Sequence, residues 1–329
     1  MDLIGIIEQG LIASLAAIGV FISFRVVDLP DLTPDGSYVL GGAASISLMY
    51  LGLPWILCLI CGGIFAGLFG ILTALIHNKL GVNSLLASIL IMTMLYSINI
   101  RVMNGPNISV PKEVSAMEEA RYTEKTKLDD LLGIKSNTQV SEIEAPTQSK
   151  KTLSPFIENS GYNSTILISV IVIIALFSTI IFLRTEFGIA LRGYGGNKEG
   201  IKNLGINPEL MSLVGLFLGN FYAGLAGSLF SMYGGFADVN MGQGVVVTSL
   251  AAVILGEIIF GRFQLFYNML CPVIGAVVYQ ILLALAMRYG YTIGFQSSDM
   301  KLVTSLFIII VIGLRRVEIK KWLNLKTSE

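Results

Sequence analysis

The sequence predicts an all-α integral membrane protein, a polytopic bundle of about eight or nine transmembrane helices with broken or re-entrant segments. Three observations predict it. Of 329 residues, 54% are hydrophobic and only 13% are charged, where soluble domains carry about 25% charged residues. The mean hydropathy is +0.75, and the apolar residues gather in runs near the roughly 20 that a helix needs to cross a hydrocarbon core. The 35 glycines let helices approach closely, as in a packed bundle rather than a single anchor.

Spans are expected at residues 4–24, 36–51, 53–76, 82–103, 164–183, 208–233, 243–260, 264–288 and 300–314. The first lacks a basic leader and an A-x-A-like cleavage site, so it reads as a retained span. The second is short and follows a polar break. The third is rich in Gly62, Gly63, Gly67 and Gly70, and the fifth is the most uniformly apolar. Cys58, Cys61 and Cys271 all lie in apolar stretches. The CxxC formed by the first two has no partner ligands nearby, so it reads as packing and not as a metal or redox pair. The chain thus divides into an N-terminal transmembrane half (1–103), a hydrophilic extracytoplasmic insert (104–163), a C-terminal half (164–314) holding a cytoplasmic loop (185–207), and a basic tail (315–329).

Basic residues orient the bundle. Arg315, Arg316, Lys320, Lys321 and Lys326 in the tail, Arg184, Arg192, Lys198 and Lys202 in the loop, Lys79 and Arg262 fall on one side if spans alternate from the third onward. That side is expected to be cytoplasmic. Parity then puts the N-terminus outside, whereas a re-entrant break near 25–36 puts it inside. The insert, with seven basic and nine acidic residues between Lys112 and Glu158, has too few large apolar residues to bury a core. It reads as a solvated spacer or as a lid or docking surface.

Two broken segments suggest a pathway. "SFRVVDLPDLTPDGSYVLGGAAS", from Ser23 to Ser45, puts Asp31, Asp35, Pro30 and Pro34 between two apolar runs. Proline removes backbone donors and disfavours helix before it. Such backbone is tolerated at membrane depth only where protein or a water-filled cavity satisfies it. The segment is either a polar surface turn or an unwound stretch lining a translocation path. Asp35, followed by Gly36 and Ser37, is positioned to cap the second helix. "YGGFADVNMGQGVVVTSLAAVILGE", from Tyr233 to Glu257, loosely repeats the pattern with Asp238 and Gln243, and paired interrupted segments are a pointer to a transport site. Asn99 and Asn220, within or near the ends of spans, either hydrogen-bond helices together or face a solute. Asp31, Asp35, Asn99, Asn220, Asp238 and Gln243 are therefore the candidate path residues.

The third feature is the loop "RTEFGIALRGYGGNKEGIKNLGINPELM". Gly193, Gly195 and Gly196 are expected to break the preceding helix. Asn197 then caps a short helix through Lys198, Glu199, Gly200, Ile201 and Leu204, stopped at Gly205. Asn207 and Pro208 start the next span. A short amphipathic helix on the cytoplasmic side can receive force from a soluble motor; otherwise it is a surface connector. His77 reads as an interface anchor or a proton relay, Arg101 and Arg288 as headgroup contacts or partners of an acidic patch, and Glu257 as snorkelling or pairing with Arg262. No catalytic triad, catalytic carboxylate pair, metal cluster or nucleic-acid patch is present in the sequence, and no G-x-x-x-x-G-K-[ST] loop could cradle ATP here.

The stretch from Thr185 to Gly242 resembles the coupling segment and following helix of the binding-protein-dependent permease family that includes branched-chain amino-acid and ribose permeases. "SFRVVDLPDLTPDGSYVLGGA" and "NSLLASILIMTMLYSINIRVMNGPN" are similar to a tryptophan/tyrosine-type subgroup. The resemblance covers about 5–110 and 163–315, and the insert departs from the family's usual short loop. It implies a homodimeric permease of an ATP-binding-cassette importer in the bacterial plasma membrane, surrounded by lipid. Its partners would be an extracytoplasmic solute-binding protein and a separate ATPase that binds ATP and Mg, with Asn197–Gly205 seated in that subunit. An ion-gradient-driven transporter with sites near Asp31 and Asp238 is the alternative, and a membrane enzyme or scaffold is a third.

Overall fold

The structure is a computed structural model that describes residues 3–111, 162–260 and 265–293, with short pieces between 302 and 313. Most of the insert, Arg262, the basic tail and much of the expected ninth span lie outside these residues.

Helix α1 (Leu3–Phe21) continues into a π-helical turn (Ile22–Val26), closed by Val27 N–H donating to the Ile22 carbonyl at 3.0 Å. The chain then extends through Asp28, at φ +56°, and Pro30. Helix α2 (Thr33–Tyr50) carries Pro34 in its first turn. α3 (Trp55–Leu80) ends at left-handed Gly81. α4 (Ser84–Met103) is capped by the Asn83 side chain, which accepts from Leu85 N–H. Strand β1 (Asn107–Ser109) precedes the insert. Beyond it come α5 (Tyr162–Arg184), α6 (Glu186–Gly196), α7 (Lys198–Asn203), α8 (Pro208–Gly234), strand β2 (Phe236–Asp238), α9 (Val245–Phe260) and α10 (Leu265–Ile293). Six described helices are long and apolar enough to cross a membrane, namely α1 with its π turn, α3, α4, α5, α8 and α10; α9 is a shorter apolar helix. The polytopic all-α architecture with broken segments is the one the sequence predicts.

The most enclosed of these is α8, packed chiefly on α3, α2 and α1. Small residues make this possible. A methyl group on Gly41 would collide with the Gly224 carbonyl, and one on Gly227 with the Tyr38 carbonyl. Ser228 Oγ donates to the Gly41 carbonyl at 2.8 Å across the same seam. Without a hydrophobic drive between helices in lipid, close backbone approach and interhelical hydrogen bonds hold a bundle together. Ile60, Phe65, Leu90 and Ile174 are exposed on the flanks, which suits contact with lipid.

Strands β1 and β2 pair antiparallel, Asn107 opposite Asp238, and tie the end of α4 to the end of α8. At three residues each they are too short for an alternating pattern to betray them. Tyr50 at the end of α2 donates to the Ser109 carbonyl at 3.0 Å, so α2 ends on the ribbon's face. Near the start of α1, Glu8 bonds Tyr233 and the first residues of α5. The start of α1 therefore shares a face with the ribbon and the start of α5, as parity expects. The π turn reaches the opposite face, where Gly195 of α6 abuts the Val26 carbonyl.

Candidate functional site

The two broken segments meet. Thr33, and not Gly36, opens α2, because Pro34 lacks an N–H and fits the first helical turn. The expected cap by Asp35 is thereby displaced. Leu32 stands at the N-cap position without a side-chain bond, and Asp31 just before it holds the first helical N–H, its Oδ1 accepting from Thr33 N–H at 2.8 Å. Asp35 caps the other broken segment instead. Its Oδ2 accepts from Gly244 N–H at 3.1 Å and its Oδ1 from Val246 N–H at 2.8 Å. Gly244 stands at φ +86°, a conformation that favours glycine and turns the chain into α9.

Beside this junction lies a cavity of about 330 Å³ lined by α2, α4 and the turn before α9. Asp35, Asn99 and Gln243 line it, with Gly36, Val39, Thr93 and Tyr96. Asn99 Nδ2 donates to the Gly36 carbonyl at 3.2 Å, while Asn99 Oδ1 is buried without a donor among the described residues. Gln243 Nε2 donates to Asn240 Oδ1 at 2.8 Å.

Asp31 and Asn220 do not line that cavity. They form a buried polar chain through the core: Asn220 Nδ2 donates to Asp31 Oδ2 at 2.8 Å, and Ser37 Oγ donates to Asn220 Oδ1 at 2.7 Å. Thr33 and Thr73 share a hydroxyl–hydroxyl bond of 2.8 Å alongside. Asn220 lies halfway along α8, so the chain links α2, α3 and α8 deep in the bundle. Asp238 belongs to β2, and its Oδ1 accepts from Asn240 N–H at 2.7 Å.

On the opposite face, helix α6 runs through Gly193, Gly195 and Gly196, and breaks only at Asn197. Two of these glycines serve close packing: a methyl on Gly193 would press on Ile201, and one on Gly195 on the Val26 carbonyl, whereas Gly196 faces open space. Asn197 Oδ1 accepts from Gly200 N–H at 2.9 Å, capping α7 as expected. Gly205 stands at φ +78° and ends the segment. Asn207 accepts from Glu209 N–H at 2.9 Å and Pro208 opens α8. Ile201 is buried while Leu204 is 75% exposed, with Lys198 and Glu199 on the short helix. Lys198 sits over the Tyr194 ring.

Glu257 pairs with Arg25 of the π turn at 2.7 Å; Arg262 lies outside the described residues. His77 Nδ1 is 2.7 Å from the Val82 carbonyl, consistent with anchoring the α3–α4 turn. Cys58 and Cys271 are buried free thiols. Among the described residues no cluster of His, Cys, Asp and Glu could hold a metal. Sequence reasoning missed Glu8, 4% exposed, which accepts from Ser164 Oγ and Thr165 Oγ1 at 2.6 Å each and from Tyr233 Oη at 2.8 Å. An acid inside an apolar span was the available signal.

Comparison with known proteins places this geometry. The family model described as branched-chain amino acid transport system / permease component matches residues 3–313. A tyrosine transport system permease protein of Clostridioides difficile (strain R20291) is 30% identical over 97% of this chain and 94% of its own length. An uncharacterized protein of Rickettsia prowazekii (strain Madrid E) is 31% identical over 94% of this chain and 95% of its own. A nucleoside ABC transporter permease protein of Lactococcus lactis subsp. cremoris is 26% identical over 44% of each chain. No solved structure matches. With its apolar helices and this coverage, the chain belongs to the branched-chain amino acid transport permease family of multi-pass bacterial inner-membrane proteins.

Proposed function

We propose that this chain is the membrane-spanning permease of an ATP-binding-cassette importer, moving a small solute, an amino acid in this reading, with energy from a separate ATPase subunit. The observation that carries the proposal is the meeting of two interrupted helices, at Asp35 and Gly244, beside a cavity in the bundle. Interrupted helices that meet at a cavity are how membrane transporters build solute sites. The relative named for tyrosine transport supports an amino acid as solute.

The face carrying Gly193–Gly205 is the cytoplasmic one in this reading. Leu204, exposed beside charged Lys198, Glu199 and Lys202, presents an apolar tip for a groove on the ATPase. ATP and Mg would sit in that partner. The opposite face, with the β ribbon and the departure of the 104–163 insert, would meet an extracytoplasmic solute-binding protein. A second copy of the chain would complete the permease within the lipid, with 1–103 and 164–314 as its two transmembrane halves and 315–329 as a cytoplasmic tail. Asp35, Asn99 and Gln243 would line the path, with Asp31, Asn220 and Asp238 supporting it.

Proteoliposomes test this. The chain, reconstituted with an ATPase subunit and a solute-binding protein of a matching importer, is expected to take up tyrosine only when ATP is supplied, and the chain alone to hydrolyse no ATP. Uptake by the chain alone, driven by a proton or sodium gradient, would overturn the reading.

A further inference from the structure

We propose that α9 and α10 form one swinging unit, latched to the rest of the bundle by the Arg25–Glu257 ion pair. The inference rests on the reading of the chain as a transporter, and names the elements that move and the contact that parts.

Backbone contacts sort the helices into two bodies. α1, α2 and α3 all seat on α8: a methyl group on Gly19 would collide with the Gly219 carbonyl, one on Gly41 with the Gly224 carbonyl and one on Gly70 with the Leu216 carbonyl. α9 and α10 seat on each other in the same way, Gly256 against the Cys271 carbonyl and Gly275 against the Ala252 carbonyl. Seams this close leave no room for sliding, so each body moves as a piece.

The boundary between the bodies is built differently. α1 meets α10 closely at Gly10, where a methyl would press on the Val277 Cα, and Gln280 Nε2 donates to Gln9 Oε1 at 3.0 Å beside it. A cavity of about 110 Å³ then lies between α1, α9 and α10, with Ala13, Ser249, Ala252 and Leu283 in its wall. Space larger than a water molecule is scarce in packed interiors, and here it separates one body from the other. The first broken segment holds α9 at both ends. Asp35 accepts the N–H groups of Gly244 and Val246 at its start, and Arg25 pairs with Glu257 near its end.

That second contact is suited to parting. Arginine–carboxylate pairs are strongest when bidentate. This one is made by Nη2 alone, at 2.7 Å, while Arg25 Nε is buried without an acceptor among the described residues. The two side chains are 27% and 15% exposed, so water can take each partner's place when they separate. Arg25 also stands in a π-helical turn, a distortion that recurs at functional sites. Release at this end, with Gln9 and Gly10 holding the other, would turn α9 and with it the wall of the solute cavity at Gly244.

The test is pulsed electron resonance on the purified full chain in lipid nanodiscs, with nitroxide labels at Leu80→Cys of α3 and Ile259→Cys of α9, both exposed positions, and Cys58, Cys61 and Cys271 replaced by alanine. Arg25→Glu and Glu257→Arg are each expected to raise the fraction at a second label distance about tenfold, the scale of a lost charge-assisted hydrogen bond. The double variant Arg25→Glu/Glu257→Arg is expected to return that fraction to within about twofold of the unaltered chain. Where a reversal does not elute as a single species, Glu257→Gln takes its place with the same expectation. A distance distribution that none of these variants changes overturns the latch. So does a second distance that the charge swap leaves in place, and so does a lower unfolding temperature with no second distance, the result a merely structural pair would give. ATP-driven tyrosine uptake with label distances that ignore both reversals overturns the latch and leaves the transport reading standing. A second distance that the swap removes, without ATP-driven uptake, supports the latch and overturns the transport reading.

Discussion

Asp31 shows how one side chain joins distant parts of the chain. Its two oxygens hold Thr33 N–H, two residues away, and Asn220 Nδ2, 189 residues away. The side chain is fully buried, and a buried carboxylate persists only where donors surround it. Truncation therefore frees the first N–H of α2 and one N–H of Asn220 Nδ2, whose other bond runs to the Leu216 carbonyl at 2.9 Å. Asp31→Ala is expected to cost about 2–4 kcal/mol, read as a lower unfolding temperature in detergent, and Asp31→Asn roughly half of that. Unaltered unfolding of Asp31→Ala would mean that the buried chain through Asn220 holds nothing together. Glu8 follows the same logic with three hydroxyl donors. Its acid was visible in the sequence; its partners, brought from α5 and α8, were not.

At the scale of elements, the broken helices serve each other. α2 starts on its own aspartate, and the next aspartate along caps α9 across the bundle. The π turn at the end of α1 joins two further elements, touching Gly195 of α6 on one side and Glu257 near the end of α9 on the other. Short α7 sits against this assembly through buried Ile201 and leaves Leu204 outward. Gly205 at φ +78° has open space around its Cα, so a larger residue meets backbone strain and no collision. That strain is roughly 1–2 kcal/mol and confined to the end of the segment. Gly205→Val is expected to leave membrane expression intact while lowering ATP-dependent uptake by about tenfold, through a misdirected α7. Gly196, also with open space but no positive φ, supplies the contrast: Gly196→Ala should transport normally. Full uptake by Gly205→Val would count against a coupling role for this segment.

The whole molecule has two unlike faces. One gathers the β ribbon, the ends of α2 and α8 and the starts of α1 and α5; the other gathers the π turn, α6 and α7. Basic residues concentrated near α6 and α7, in Arg184, Arg192, Lys198 and Lys202, support the proposal that this is the cytoplasmic face by the positive-inside tendency. Cysteines placed at exposed Phe236 and at exposed Leu204 would report it. An impermeant maleimide is expected to label Phe236→Cys in intact cells and Leu204→Cys only after permeabilisation. The reverse pattern would invert the bundle and move the proposed ATPase contact outside.

Much of this was legible without coordinates. Long apolar runs specify spans because a hydrocarbon core demands length and leaves no backbone polar group unsatisfied. Local capping chemistry was legible at Asn197 and Asn207, where the side chain and the N–H it satisfies lie within three residues. It misled at Asp35, because Pro34 favours an earlier start and the carboxylate then met Gly244, 209 residues on. The glycines of α6 read as helix breakers by propensity, yet packing against Val26 and Ile201 kept them helical. What the sequence by itself determined was the polytopic all-α membrane class, the two breaks, the short capped helix and the family. Only the tertiary structure decided which acid met which amide, that the breaks meet beside one cavity, and that the Asn99 side chain is buried against the Gly36 carbonyl. Local patterns encode elements, whereas pairing across about two hundred residues depends on how α2, α4, α8 and α9 pack.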